Sequence, residues 1–98
     1  MFGLNKNTID KIQSVFVTFS EIEEVIIYGS RAKGTQKKGS DIDLTIKGEK
    51  LNFSLLNKLD RQLDDLLLPY QIDLSLFDNI DNADLVSHIN RVGKRFYP

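Results

Sequence analysis

Two aspartates stand inside apolar, strand-like tripeptides. Asp43 lies between Ile42 and Leu44, and Asp73 between Ile72 and Leu74, so Ile-Asp-Leu occurs twice. A carboxylate buried on a strand face without a partner is strongly destabilising. Each segment therefore needs either an open cleft or a positive partner on that face. Asp41 adds a third carboxylate. Residues i and i+2 of a strand point to one face, roughly 6.5 Å apart along the backbone. Asp41 and Asp43 at that spacing can grip one divalent ion, or a pair of ions about 3.5 to 4 Å apart. Asp73, from a neighbouring strand, can complete a three-carboxylate site. Oxygen ligands of this kind suit Mg²⁺ or Mn²⁺, which keep waters and take substrate phosphate as well. The competing reading is three solvated strand-end aspartates.

The second feature is the turn Tyr28-Gly29-Ser30-Arg31-Ala32-Lys33-Gly34. A strand ending in Gly-Ser and turning into a short helix leaves backbone N–H groups free for an anion. Gly29 has no Cβ and lets a phosphate approach the backbone. The Ser30 hydroxyl can donate to a phosphate oxygen, and Arg31, Lys33, Lys37 and Lys38 supply positive charge. The spacing of a P-loop is absent. Ten residues, 31 to 40, separate the turn from Asp41. Anion donors and metal ligands thus fall at adjacent strand ends, an arrangement suited to phosphoryl or nucleotidyl transfer.

The elements that must position these residues follow from hydrophobic periodicity. Ile9, Ile12, Phe16 and Phe19 predict a helix over 8–19, with Thr8 as N-cap. Val25-Ile26-Ile27-Tyr28 predicts a strand over 23–28, and alternation predicts another over 41–47. A leucine stripe predicts a helix over 51–68 that Pro69 stops. The solvated face of that helix takes Asp60, Asp64 and Asp65. A strand over 70–77 and a helix over 82–92 follow, with Gly93 as a left-handed C-cap. His88 reads as a partly exposed residue of that last helix. The C-terminal Lys94-Arg95-Phe96-Tyr97-Pro98 either docks a partner or packs back on its own sheet. Three strands interleaved with helices make an α/β (α+β) fold.

Composition sets the outer bounds. Ninety-eight residues, 41% hydrophobic and 28% charged, predict one globular domain over 1–98. Thirteen Lys and Arg against 14 Asp and Glu leave a formal charge of −1. That argues against broad coating of nucleic acid, though a local basic patch remains compatible with it. The absence of cysteine excludes disulfides, thiolate metal sites and cysteine nucleophiles, and a single histidine excludes multi-histidine zinc sites. No apolar run is long enough for a membrane span and no signal-peptide core is visible, so the expected location is cytoplasmic.

Gly29-Ser30, ten residues, then Asp41-Ile42-Asp43 resembles the signature of the DNA polymerase β-like nucleotidyltransferase superfamily, with Asp73 where that superfamily places its third carboxylate. The short length and the form Gly-Ser-Arg-Ala-Lys-Gly resemble its minimal nucleotidyltransferase (MNT) class. The resemblance implies a small mixed β-sheet flanked by helices. It implies that Gly29 and Ser30 hold a triphosphate, that Asp41 and Asp43 ligate two Mg²⁺ ions, and that Asp73 ligates the catalytic ion and helps activate an acceptor hydroxyl. The implied reaction moves AMP from ATP onto that hydroxyl and releases pyrophosphate. The implied partner is a helical HEPN protein encoded nearby, the MNT protein acting as antitoxin and adenylylating a tyrosine of the toxin.

So short a chain leaves little room for an acceptor site, so a second protein or a homodimer is expected to complete it. An RNA end is a further acceptor. The alternative to catalysis is a binding module that neutralises its HEPN partner by steric cover alone. A small-molecule nucleotidyltransferase of the aminoglycoside-modifying kind is a third reading.

Overall fold

The structure is a computed structural model that describes all 98 residues. Its elements run α1 (Lys6–Phe16), β1 (Glu24–Tyr28), α2 (Gly29–Lys33), β2 (Ile42–Lys47), α3 (Phe53–Asp64), β3 (Ile72–Leu76), a 3₁₀ turn (Phe77–Asn79), α4 (Ala83–Val92) and β4 (Lys94–Tyr97). The strand order is β3-β2-β1-β4. β1 pairs antiparallel with β2 and with β4, while β2 and β3 are parallel, α3 making the crossover. The sheet is therefore mixed, as the superfamily resemblance implies. No helix is long and apolar enough to cross a membrane.

Period-two alternation divides the sheet into two unlike faces. One carries Val25, Ile27, Ile42, Leu44, Ile46 and Leu76, all buried in one core with Ile12 and Phe16 of α1 and Leu55, Leu59 and Leu63 of α3. The other carries Tyr28, Asp43 and Asp73, which are adjacent in the register, and one step further Ile26, Thr45 and Ser75. At the β1 end of this second face, α4 packs down, burying Ile89. The β2–β3 end lies more open: Asp73 is exposed and Asp43 half-buried.

A fourth strand and the helix ends are where the structure departs from expectation. Residues 94–97 form β4, an edge strand with Phe96 buried against Phe16 and Phe2. The aromatic tail packs back on its own sheet. Gly93 takes extended backbone, φ −62° and ψ 146°, instead of a left-handed cap. Its need is for space: a Cβ there would run into the Ile89 carbonyl and come within 2.6 Å of Ile26 Cγ2.

The three long helices all begin at asparagine. Asn5 Oδ1 accepts from the Thr8 amide at 2.8 Å, Asn52 Oδ1 from Leu55 at 2.9 Å, and Asn82 Oδ1 from Asp84 and Leu85. Thr8, expected to cap α1, is instead buried in its first turn. The short Asn side chain reaches amides otherwise left without partners.

α3 ends at Asp64, before Pro69, and the following turn places Leu67 at φ 55° with 88% of its surface exposed. A left-handed leucine costs roughly 1–2 kcal/mol over a relaxed residue, and this one recovers little by burial. Leu67→Gly is expected to stabilise the protein by about 1 kcal/mol. An upward shift of the urea midpoint at unchanged m-value would show it.

Candidate active site

The sheet register brings two of the expected carboxylates side by side. Asp43 pairs with Asp73 across the parallel β2–β3 ladder and with Tyr28 across the antiparallel β1–β2 ladder. The Asp73 carboxyl lies within hydrogen-bonding reach of Asp43, and Asp41 is near enough to act on it by charge. Asp43 is held above the usual carboxylate range, first by burial, then by the negative charges of Asp73 and Asp41. Asp41 sits just ahead of β2, exposed to solvent. No three acidic or imidazole side chains converge into a ready metal cage. The chain thus presents a carboxylate pair with a third carboxylate at its mouth.

Tyr28 closes one side of this pair. Its phenol is pushed up by burial, an effect that hydrogen bonding to Ser75 opposes and the charges of Asp43 and Asp73 reinforce. The phenol therefore stays protonated as a donor. Behind it, Ser75 Oγ donates to Thr45 Oγ1 at 2.9 Å, and Thr45 is fully buried between Ile26 and Ser75. This hydroxyl pair gives the carboxylates a rigid floor.

The Gly-Ser turn leads directly off β1 toward Asp43. Gly29 has φ +74°, and a Cβ there would collide with Asp43 Oδ2. Glycine is required for both reasons. The Ser30 backbone carbonyl accepts from the amides of Gly34 and Thr35, which tightens the short helix. Its side chain stays half-exposed.

His88 is the residue that sequence reasoning undervalued. From α4 its Nε2 accepts a hydrogen bond from the Gly29 amide at 3.2 Å, and its ring stands edge-on to Tyr28 at 6.2 Å. It fixes the strand-to-helix turn from 59 residues away. A lone histidine on a helix gives no sequence signal of such a contact. Asp60 is a second surprise. It is half-buried and held above its usual range by burial and by the charges of Asp64 and Asp73, so the acidic surface extends onto α3.

Arg31 does not face the carboxylates. It is 3% exposed. Its Nε and Nη2 donate to the Ser40 carbonyl at 3.0 and 2.8 Å, and Nη1 donates to the Phe2 carbonyl at 3.0 Å. The guanidinium also lies 4.9 Å from the Tyr70 ring centre. Three of its five donors are used inside the chain, where they fix the loop that delivers Asp41 to β2. Lys33 is exposed. Arg31→Met is expected to cost about 3 kcal/mol, because it strands the Ser40 and Phe2 carbonyls. Chemical denaturation would read this; a loss under about 1 kcal/mol would contradict the strut role.

The profile of the family described as "Polymerase beta, Nucleotidyltransferase" matches residues 10–98. No curated protein matches the chain in sequence. The fold is similar to a chain in the crystal structure of a toxin–antitoxin with AMP-PNP, at TM-score 0.71 and 24% identity, covering 95% of this chain and 73% of the other. It is similar to a chain of the toxin–antitoxin MntA–HepT, at TM-score 0.69 and 17% identity over 94% and 71%. A chain from the tri-AMPylated Shewanella oneidensis HEPN toxin in complex with MNT antitoxin gives 0.69 and 17% over 95% and 71%. At such identities the likeness speaks for the fold. The family profile goes further, since it runs through the Gly29 turn and both strand aspartates: the chain belongs to the polymerase β nucleotidyltransferase family.

Proposed function

We propose that this protein is a Mg²⁺-dependent nucleotidyltransferase that moves AMP from ATP to a hydroxyl of a HEPN-type partner protein, as the antitoxin of a toxin–antitoxin pair in the cytoplasm. The observation that carries the reading is the pairing of Asp43 with Asp73 beside the Gly29–Ser30 turn. The similar structures support it, since one holds AMP-PNP and another an AMPylated HEPN toxin with its MNT antitoxin.

The donors are carboxylate oxygens, the hard chemistry that suits Mg²⁺, with Asp43 and Asp73 paired in the register and Asp41 beside them. Asp43 holds its proton more tightly than usual, first because it is buried and then because like charges face it, and a divalent cation would relieve that repulsion. Asp41, Asp43 and Asp73 would hold the ions, with substrate phosphates and waters completing each shell. Mg²⁺, if held there, would supply neutralisation of the triphosphate and favour the ionised acceptor hydroxyl.

The chain's own residues bind and orient. Ser30 donates its hydroxyl to a phosphate oxygen, and Gly29, its amide held by His88, leaves room for the Asp43 carboxylate against the turn. Lys33 adds charge at the rim. Arg31 acts through the loop to Asp41 and does not touch the nucleotide. The acceptor oxygen attacks the α-phosphorus, a new P–O bond forms, the bond to the β-phosphate oxygen breaks, and pyrophosphate leaves. Asp73 accepts the hydrogen bond of the attacking hydroxyl, and the proton passes to solvent.

The test incubates the purified protein with labelled ATP, Mg²⁺ and the product of the adjacent gene. Label on a tyrosine of the partner is the expected result. A stable complex of the two proteins that never takes label would sink the catalytic reading and leave steric cover in its place.

A further inference from the structure

His88 is the chain's one histidine, and the transfer chemistry above gives it no part. It stands half-buried on α4, which packs against both α2 and β1. Its Nε2 lies 3.2 Å from the Gly29 amide nitrogen, and its ring stands edge-on to Tyr28, the residue in register with Asp43. A backbone amide can only donate, so Nε2 carries no proton and the ring proton of the neutral imidazole sits on Nδ1. No lone pair is then left for a general base or a metal ligand. What His88 offers is the one acceptor it already uses.

Gly29 is caught between two side chains. His88 holds its amide on one side. On the other lies Asp43: the three atoms nearest to a Cβ placed on Gly29 all belong to that residue. A turn so close to the carboxylate decides where its oxygens can point. The amide is part-buried, so the loss of its acceptor is costly, and Asp43 is the acceptor side chain against which the turn would settle. We propose that His88 is a positioning residue for the transfer: through the Gly29 amide it anchors the turn so that the Asp43 carboxylate stays free to take a divalent ion. The consequence for catalysis rests on the transfer reading above; the hold on Asp43 does not. A residue that orients a metal-binding carboxylate without touching the ion sets affinity by about 10–100-fold.

Two variants separate the acceptor from the ring. His88→Gln keeps an acceptor oxygen near the place of Nε2, and His88→Phe keeps a ring against Tyr28 but has no acceptor. In the ¹⁵N spectrum of the metal-free protein, the Gly29 amide is expected to exchange slowly with solvent in the wild type and in His88→Gln, and quickly in His88→Phe. In a Mn²⁺ titration the Asp43 amide signal is expected to broaden at the same concentration in the first two, and at a concentration about 10-fold higher or more in the third. Transfer should follow, with kcat down about 10²-fold in His88→Phe at unchanged KM for the partner, and restored in His88→Gln. Circular dichroism on each variant keeps unfolding from passing as lost positioning. Equal Mn²⁺ responses in the three proteins would overturn the inference. So would a Gln variant as impaired as the Phe variant, which would make the imidazole itself the agent. A Gly29 amide that exchanges quickly in the wild-type protein would overturn it without any variant. A wild-type protein that shows the Mn²⁺ pattern yet never labels its partner would sink the transfer reading and leave the hold on Asp43 standing.

Discussion

Asp43→Asn is expected to reduce nucleotide transfer by about 10²–10³-fold while raising the thermal stability of the metal-free protein. The two effects share one cause. Asp43 is the most enclosed of the three carboxylates, between Tyr28 on one side and Asp73 on the other. Its charge is opposed by burial and by two like charges. In the proposed transfer that charge would be the asset, because it would draw a divalent ion to the triphosphate. Without ion and substrate it is a liability. Asparagine keeps the shape and removes the charge, so the resting fold relaxes while the chemistry fails. A variant that loses stability and activity together would point to a structural role.

The pH dependence follows from the same residue. The folded state holds the Asp43 proton more tightly than the unfolded chain does. The protonated group therefore favours the fold below the unfolded carboxylate range, and that contribution is lost as pH rises through the raised folded value. The melting-temperature advantage of Asp43→Asn in EDTA is thus expected to be small in acid and to grow toward neutral pH. Mg²⁺ should raise the melting temperature of the wild-type protein more than that of the variant, because ligand binding to the native state adds stability. A gap between the two proteins that stays constant from acid to neutral pH would remove Asp43 as its source.

Three strands and the two aspartates that the register pairs were legible in the sequence because their signals are local. Val25 to Tyr28 is β-branched and aromatic, 42–47 alternates, and both Ile-Asp-Leu segments carry their anomaly within three residues. β4 was illegible for an equally physical reason. An edge strand of four residues has one neighbour, and Lys94 and Arg95 are exposed, so no alternation long enough to read remains. The start of α1 is not legible at Thr8, because the apolar stripe marks the buried face of the helix and not its cap. The caps lay in Asn5, Asn52 and Asn82, each just ahead of the first turn. Arg31 and His88 show the limit of motif reading. Charge beside a Gly-Ser turn suggests phosphate, yet Arg31 bonds Ser40 and Phe2. A helical histidine suggests nothing, yet His88 holds Gly29. Both roles depend on contacts that only the folded chain creates.

Gly29→Ala should be the most damaging change of a single methyl group, and Gly34→Ala tells why. Both glycines lie in the left-handed region, at φ +74° and +77°. An alanine at either position costs roughly 1–2 kcal/mol in backbone strain. At Gly34 a Cβ meets nothing within 4 Å, so the cost ends there. At Gly29 the Cβ collides with Asp43 Oδ2. Either the carboxylate swings away from Asp73 or the turn pulls away from β2, breaking the His88 hydrogen bond. A displacement of about 1 Å at a reacting centre costs about 10²-fold in rate. The expected pattern is therefore a larger loss of stability by urea denaturation for Gly29→Ala than for Gly34→Ala, with only Gly29→Ala losing transfer by that factor. Equal activity in the two would mean that Asp43 tolerates displacement, and the close packing of the turn against the carboxylate would then have no part in catalysis.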